Sequence, residues 1–299
     1  EIYMGDWSSD VCSSDLLRDR ESVQVFPDGA LRQVPFAALR LPGLDKASSV
    51  RLAETHLVSI SPSLTYVARV PHAAATRKRM LLVGDPVPVS RSLPALDLEP
   101  STFRALPGAR REIAMIREVA AGWQADTLTG RRATRSTLLG SPLASYRVLH
   151  FATHARADVS SPQLSTLMLT PSTEGARDAS LSLREIVGLD LDADMVVLSA
   201  CEGALGKQYR GQLSFGLSEA FLLGGARTVV GSLWRVSDAA TERYMALFYD
   251  HYITRGASPT AAAQRAARVM MNDPKYAHPF NWAGFVVLTS GKPTGGGAI

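Results

Sequence analysis

The run Met195-Val196-Val197-Leu198, followed at once by Ser199-Ala200-Cys201-Glu202-Gly203, constrains this chain more than any other stretch. Four consecutive apolar residues, two of them β-branched, suit a strand buried on both faces. The break into Cys-Glu-Gly places Cys201 at the strand's C-terminal end. In open α/β sheets that edge is where ligands bind and chemistry happens. A second stretch, Arg147 to Ala155, has the same form: an apolar strand that ends in His154. If the two strands lie side by side, a thiol and an imidazole stand at one sheet edge as nucleophile and base.

The rest of the chain supplies the other strands of such a sheet. From residue 79 onward apolar runs alternate with helical periods. The strands read as Met80 to Val83, Ala125 to Gly130, Arg147 to Thr153, Met195 to Leu198, Thr228 to Leu233 and Gly284 to Leu288. Helices read over Ala109 to Trp123, Ser136 to Leu143, Leu183 to Val187, Phe215 to Leu223, Ala239 to Thr254 and Pro259 to Met271. Ser182 is the expected N-cap of the third, and Ser258-Pro259 opens the last. This predicts an α/β domain with a mostly parallel six-stranded sheet and helices on both faces. Leu164 to Thr170 reads as a hairpin excursion. Val23 to Phe26, the turn Pro27-Asp28-Gly29 and Leu31 to Leu39 read as a hairpin, and His56 to Val70 as a strand running into a helix. Residues 22–78 thus form an N-terminal, hairpin-containing subdomain or add strands beside the main sheet, within one domain over 22–290. Residues 291–299 are a Gly-rich tail expected to fray. Residues 1–16 show no period and begin without Met; they resemble translated adapter sequence at a contig edge and are set aside, Cys12 with them.

Composition narrows the function classes. At 46% hydrophobic and 20% charged over 299 residues, the chain is an ordinary globular one. The net charge of +4 comes from dispersed basic residues, with short clusters at Arg77-Lys78-Arg79, Arg110-Arg111 and Arg131-Arg132. These read as solvated surface, not as a nucleic-acid stripe. Two cysteines exclude a disulfide framework and point to a reducing compartment, by default the cytoplasm of a bacterial-type cell. No apolar run reaches the length of a membrane helix.

Small residues around Cys201 leave room for a substrate carbonyl, and Gly203 lets the backbone turn away. Taken singly, a strand Cys or His is more often a core residue. His150 and His154 are four apart, but along a strand that spacing spans about 13 Å, too far for one metal ion. No Glu follows His150, so the zinc-protease motif is absent. The Gly-Lys near Cys201 lacks the rest of a phosphate loop, and Gly216-Leu217-Ser218-Glu219-Ala220 lacks the leading strand of a serine nucleophile elbow. No cofactor and no metal is expected.

HFATHA at 150–155 and LSACEGALG at 198–206 resemble the CHAT domain, a caspase-like cysteine peptidase module in the clan of caspases and separases. The likeness continues through FPDGALRQVPFAAL at 26–39, LLVGDP at 81–86, GLSEAFLLGGARTVVGSLWRVSDAAT at 216–241 and HPFNWAGFVVL at 278–288. It implies a caspase-like sheet with Cys201 as nucleophile and His154 as base and acid. Backbone N–H groups of Cys201 and Ala155 would form the oxyanion hole. Ser232 to Asp238, with Leu233 and Trp234, would line the substrate groove beside Glu202 and Gly203. The partner implied is a protein or peptide substrate, with tetratricopeptide repeats often upstream. The chain departs from many relatives at Gly211-Gln212, where they carry Gly-Glu. Asp238 has two expected roles: an acidic pocket that selects Arg or Lys before the cut, with Glu202 as the substitute acid, or the N-cap of the helix near Ala239. The rival to a peptidase is a catalytically silent binding module of the same fold.

Overall fold

The central strands are apolar on both faces, and the chain buries them between two layers of helices. The structure, a computed structural model, describes residues 17, 20–42, 49–67, 77–87, 106–156, 165–173, 178–199 and 215–291. In chain order the strands are β1 (Ser22–Val25), β2 (Arg40–Pro42), β3 (Ser49–Arg51), β4 (Leu57–Ile60), β5 (Arg79–Pro86), β6 (Gln124–Gly130), β7 (Val148–Ala152), β8 (Ala155–Arg156), β9 (Thr166–Met168), β10 (Ser180–Ser182), β11 (Met195–Leu198), β12 (Thr228–Ser232) and β13 (Phe285–Thr289). The helices are α1 (Leu52–Thr55), α2 (Leu64–Val67), α3 (Pro107–Val119), α4 (Arg135–Leu139), α5 (Leu183–Val187), α6 (Phe215–Leu223), α7 (Asp238–Tyr249) and α8 (Pro259–Met271). A π-helical turn, Asp250–Thr254, extends α7.

The main sheet runs β1-β4-β13-β12-β11-β7-β5-β6. Every neighbouring pair is parallel except β12 with β13. Alternate residues of each strand face opposite layers. Met80, Leu82, Val148, Met195 and Val197 join the core closed by α3, α7 and α8. Leu81, Val83, Leu149, Phe151, Val196 and Leu198 join the other, closed mainly by α5 and α6. Full burial of each β11 side chain contributes about 1.5–3 kcal/mol. The helix starts are chemically defined. Ser182 and Glu185 form a capping box on α5, and the Ser258 hydroxyl accepts the Ala261 N–H ahead of Pro259 on α8.

The six expected strands are all present, and the sheet is larger than expected because β1 and β4 add two more at the β13 edge. Gln24 of β1 reaches across to donate to the Thr289 hydroxyl and the Gly291 carbonyl. The expected hairpin over 23–39 is not formed. After β1 the chain turns into two short 3-10 helices, Gly29–Gln33 and Phe36–Ala38. Asp28 caps the first by accepting the Gly29 N–H, and the prolines at 27 and 35 lack the amide donors that a second strand needs. The hairpin of this region is instead β2 with β3. The excursion near residue 164 forms the middle strand of a separate sheet, β10-β9-β8.

All five β13 residues are buried, so removing β1 and β4 bares an apolar sheet edge, a template for aggregation. A chain starting at residue 78 is predicted to elute as soluble aggregate or precipitate in size-exclusion runs. A well-behaved monomer with unchanged melting temperature would contradict this.

Candidate active site

Strands β7 and β11 are parallel neighbours, with Val148 opposite Met195 and Phe151 opposite Leu198. The Ser199 N–H continues the ladder onto the Phe151 carbonyl at 2.9 Å. His154 and Cys201 each follow the paired residues Phe151 and Leu198 by three positions. His154 is 2% exposed and sits between β7 and β8. Its carbonyl accepts the Met168 N–H at 2.8 Å and the Thr153 hydroxyl at 3.2 Å. Ala155 pairs with Leu167, so the small sheet holds the backbone at and just after this histidine. Cys201, Glu202, Gly203 and the Gly211-Gln212 departure lie outside the described residues, as does Cys12.

A cavity of about 90 Å³ opens at this edge of the sheet, between the first turns of α3 and α7 and the ends of β7 and β11. Thr153 and Ser199 line it from the strands, Gly108 and Glu112 from α3, and Arg235 and Asp238 from the segment after β12. Asp238 is not the cap of its helix. The Ser237 hydroxyl accepts the Ala240 N–H at 3.3 Å, which leaves Asp238 as the first helical residue, where a negative charge suits the dipole. Its carboxylate closes over Gly108: a Cβ on that glycine would lie 3.1 Å from Asp238 Oδ2.

The residues just before Asp238 hold that segment in place. Ser232 is buried and its hydroxyl donates to the Trp234 carbonyl at 2.6 Å. The Leu233 N–H donates to the Gly284 carbonyl at 2.8 Å. The Trp234 indole donates to the Phe280 carbonyl and stacks on the Phe280 ring, centroids 5.8 Å apart. Of the expected groove segment, Arg235, Val236 and Asp238 reach the cavity, while Ser232, Leu233 and Trp234 do not line it.

One residue here escaped the sequence reading. Glu112 is 5% exposed and shares the buried stripe of α3 with Ala109, Ile113 and Ile116. Its Oε2 accepts the Ser199 hydroxyl at 2.9 Å. Its Oε1 stands 3.3 Å from Nε2 of His150, which is fully buried, and His150 Nδ1 lies 3.0 Å from the Tyr249 hydroxyl. Burial, reinforced by the charges of Glu112 and Tyr252, holds the Tyr249 phenol well above the usual tyrosine range. The available signal was a carboxylate at i+3 from Ala109 and i−4 from Ile116, on an otherwise apolar helical stripe.

An α/β domain with a cavity at the C-terminal edge of its parallel strands, flanked by a buried histidine, is a frame for ligand binding or catalysis. The family model described as the CHAT domain matches residues 13–291, and the chain belongs to that family. Tetratricopeptide repeat protein 28 of Mus musculus is 28% identical, the alignment covering 91% of this chain and 12% of that protein. Its Homo sapiens counterpart is 27% identical over the same shares. The chain thus spans about an eighth of the length of the curated relatives it matches. Among solved structures, the separase–securin complex of Saccharomyces cerevisiae is similar at TM-score 0.48 and 15% identity, over 87% of this chain and 15% of that one. The Arg specific cysteine proteinase gingipain R is similar at TM-score 0.47 and 10% identity, over 78% of this chain and 54% of that one. No helix among the described residues is long and apolar enough to cross a membrane.

Gly108→Ala is predicted to displace the Asp238 carboxylate without unfolding α3, since alanine favours a helix. A crystal structure of the variant checks this. An unmoved Asp238 would mean that the cavity wall yields elsewhere.

Proposed function

We propose that this chain is a cysteine endopeptidase module acting through Cys201 and His154. The observation that carries the reading is the parallel register of β7 with β11, which starts the two catalytic segments from paired residues of adjacent strands. His154 takes the thiol proton, and the Cys201 sulfur bonds to the scissile carbonyl carbon. N–H groups of Cys201 and Ala155 receive the oxyanion. His154 returns its proton to the leaving amine as the C–N bond breaks, and a water, deprotonated by His154, then releases the acyl group and restores the thiol. No metal or cofactor takes part. The substrate lies along Arg235 to Asp238, the part of the expected groove that reaches the cavity, as an extended peptide, with Glu202 and Gly203 beside the thiol. Asp238 faces the side chain before the cut and selects Arg or Lys, a reading supported by its place in the cavity wall. Tetratricopeptide repeats, named in the matched relatives, are the proposed upstream partner that controls access.

Cys201→Ala is predicted to lower cleavage of a peptide library by about 10⁴-fold or more, because no second nucleophile replaces it. Cys12→Ala and a chelator should each leave the rate unchanged. Cleavage that survives in Cys201→Ala would move the site elsewhere, and a wild-type protein inert toward every peptide would favour the silent binding module.

Asp238→Ala is predicted to lower kcat/KM for peptides with Arg or Lys before the cut by on the order of 100-fold, with little change for apolar ones. A wild-type preference for apolar residues would rule out the acidic pocket. A basic preference unchanged in the variant would transfer the role to Glu202.

A further inference from the structure

The sequence offers no task for His150, and the dyad does not use it, yet it is the most completely buried imidazole beside the site. We propose that His150, Glu112 and Tyr249 form a positioning relay that fixes Ser199, and with it the end of β11. This inference rests on the peptidase reading above but is tested separately from it.

The direction of the relay follows from donor and acceptor capacity. An ionised Glu112 only accepts. It takes the Ser199 hydroxyl on Oε2, and the polar group that faces Oε1 is His150 Nε2, 3.3 Å away. Neither Oε1 nor Nε2 makes a hydrogen bond among the described residues; they face each other at 3.3 Å without hydrogen-bond alignment. With its proton on Nε2, the imidazole accepts at Nδ1, and the donor there is the Tyr249 hydroxyl at 3.0 Å. Tyr249 thus donates to His150, whose Nε2 faces Glu112, and Glu112 is met from the other side by Ser199.

Four elements are tied by this relay. Tyr249 ends α7, whose first residue is Asp238. Glu112 belongs to α3, whose first turn carries Gly108 under the Asp238 carboxylate. His150 is on β7, four residues before His154, and Ser199 follows β11, two residues before Cys201. The relay thus holds both catalytic strands and both helices of the cavity from behind. None of its members except Ser199 and Glu112 reaches the cavity, so His150 and Tyr249 act through other residues and touch no substrate.

The test uses the full chain with Tyr249→Phe, Glu112→Gln, Ser199→Ala and the Glu112→Gln/Ser199→Ala pair. Three readouts are taken: kcat and KM on a cleaved peptide, the rate of Cys201 alkylation by iodoacetamide with Cys12 replaced by Ala, and histidine side-chain ¹⁵N spectra. Wild-type spectra assigned to His150 should show its proton on Nε2, and Tyr249→Phe should shift that signal. Tyr249→Phe and Ser199→Ala should each lower kcat about tenfold with KM within about twofold, since misplacement of a reacting group acts on the chemical step. Alkylation of Cys201 should slow in parallel. The double variant should be no worse than the poorer single one, as expected of residues acting as a unit. Lowered melting temperatures with unchanged kcat and alkylation would overturn the relay as a positioning device. A proton on Nδ1 of His150 would overturn its direction. Slowed alkylation in a protein that cleaves no peptide would uphold the relay and sink the peptidase reading.

Discussion

The parallel register between β7 and β11 is the constraint on which the cavity depends. Residue alternation has a period of two, so a slip of one position would turn each side chain of a strand to the opposite layer. Ser199 would then face α6 and not Glu112, and Met195 and Val197 would trade layers with Val196 and Leu198. The apolar residues on both faces make such a slip costly in two cores at once. The strand pair that carries the candidate chemistry is therefore also the one whose position burial specifies most tightly.

That economy explains why the centre of the fold was legible in the sequence and its margins were not. Strands β5, β7, β11, β12 and β13 announce themselves as apolar runs because helices cover both of their faces. Helix α6 ends where the Gly224-Gly225 pair indicates, and α8 begins where Ser258 and Pro259 do. At the margin, β1 has intermediate or exposed side chains, so its pattern does not say which neighbour it joins. Its pairing with β4 is a long-range fact that local periodicity does not encode. The 3-10 turns after it follow from Pro27, Asp28 and Pro35, of which a hairpin template takes the first two as its turn and Pro35 as part of its second strand. Ser237 was overlooked as a cap because Asp238 next to it is an equally good capping residue by type.

The site was legible in a similarly uneven way. His154 follows from a strand end, and Asp238, expected in the segment after β12, lines the cavity, while Thr153 and Ser199 join it only in the structure. Glu112 does not follow from the strand ends, since it lies on α3, away from them, and a charged residue does not register in an apolar helical period. A charged residue inside a buried stripe is more informative than the apolar residues around it, because a buried carboxylate without partners costs several kcal/mol.

Stability alone does not account for that carboxylate. A well-packed apolar set in place of a buried ionic network is often neutral or stabilising by about 1–4 kcal/mol. The surroundings of Glu112 would suit such a set: Ala109, Ile113, Val148, Ala152 and Phe248 belong to the same core. The polar members also bring weaknesses. The contact between Glu112 and His150 is loose, and burial keeps Tyr249 from ionising. What an apolar set could not do is bind the Ser199 hydroxyl from below while leaving the upper face of the cavity open. Hydrogen bonds have direction and dispersion contacts do not, so a side chain beside a cavity, lacking neighbours on one side, is held in one orientation only by a polar partner. The network lies where the apolar core gives way to the cavity, and there directional bonds accomplish what packing cannot.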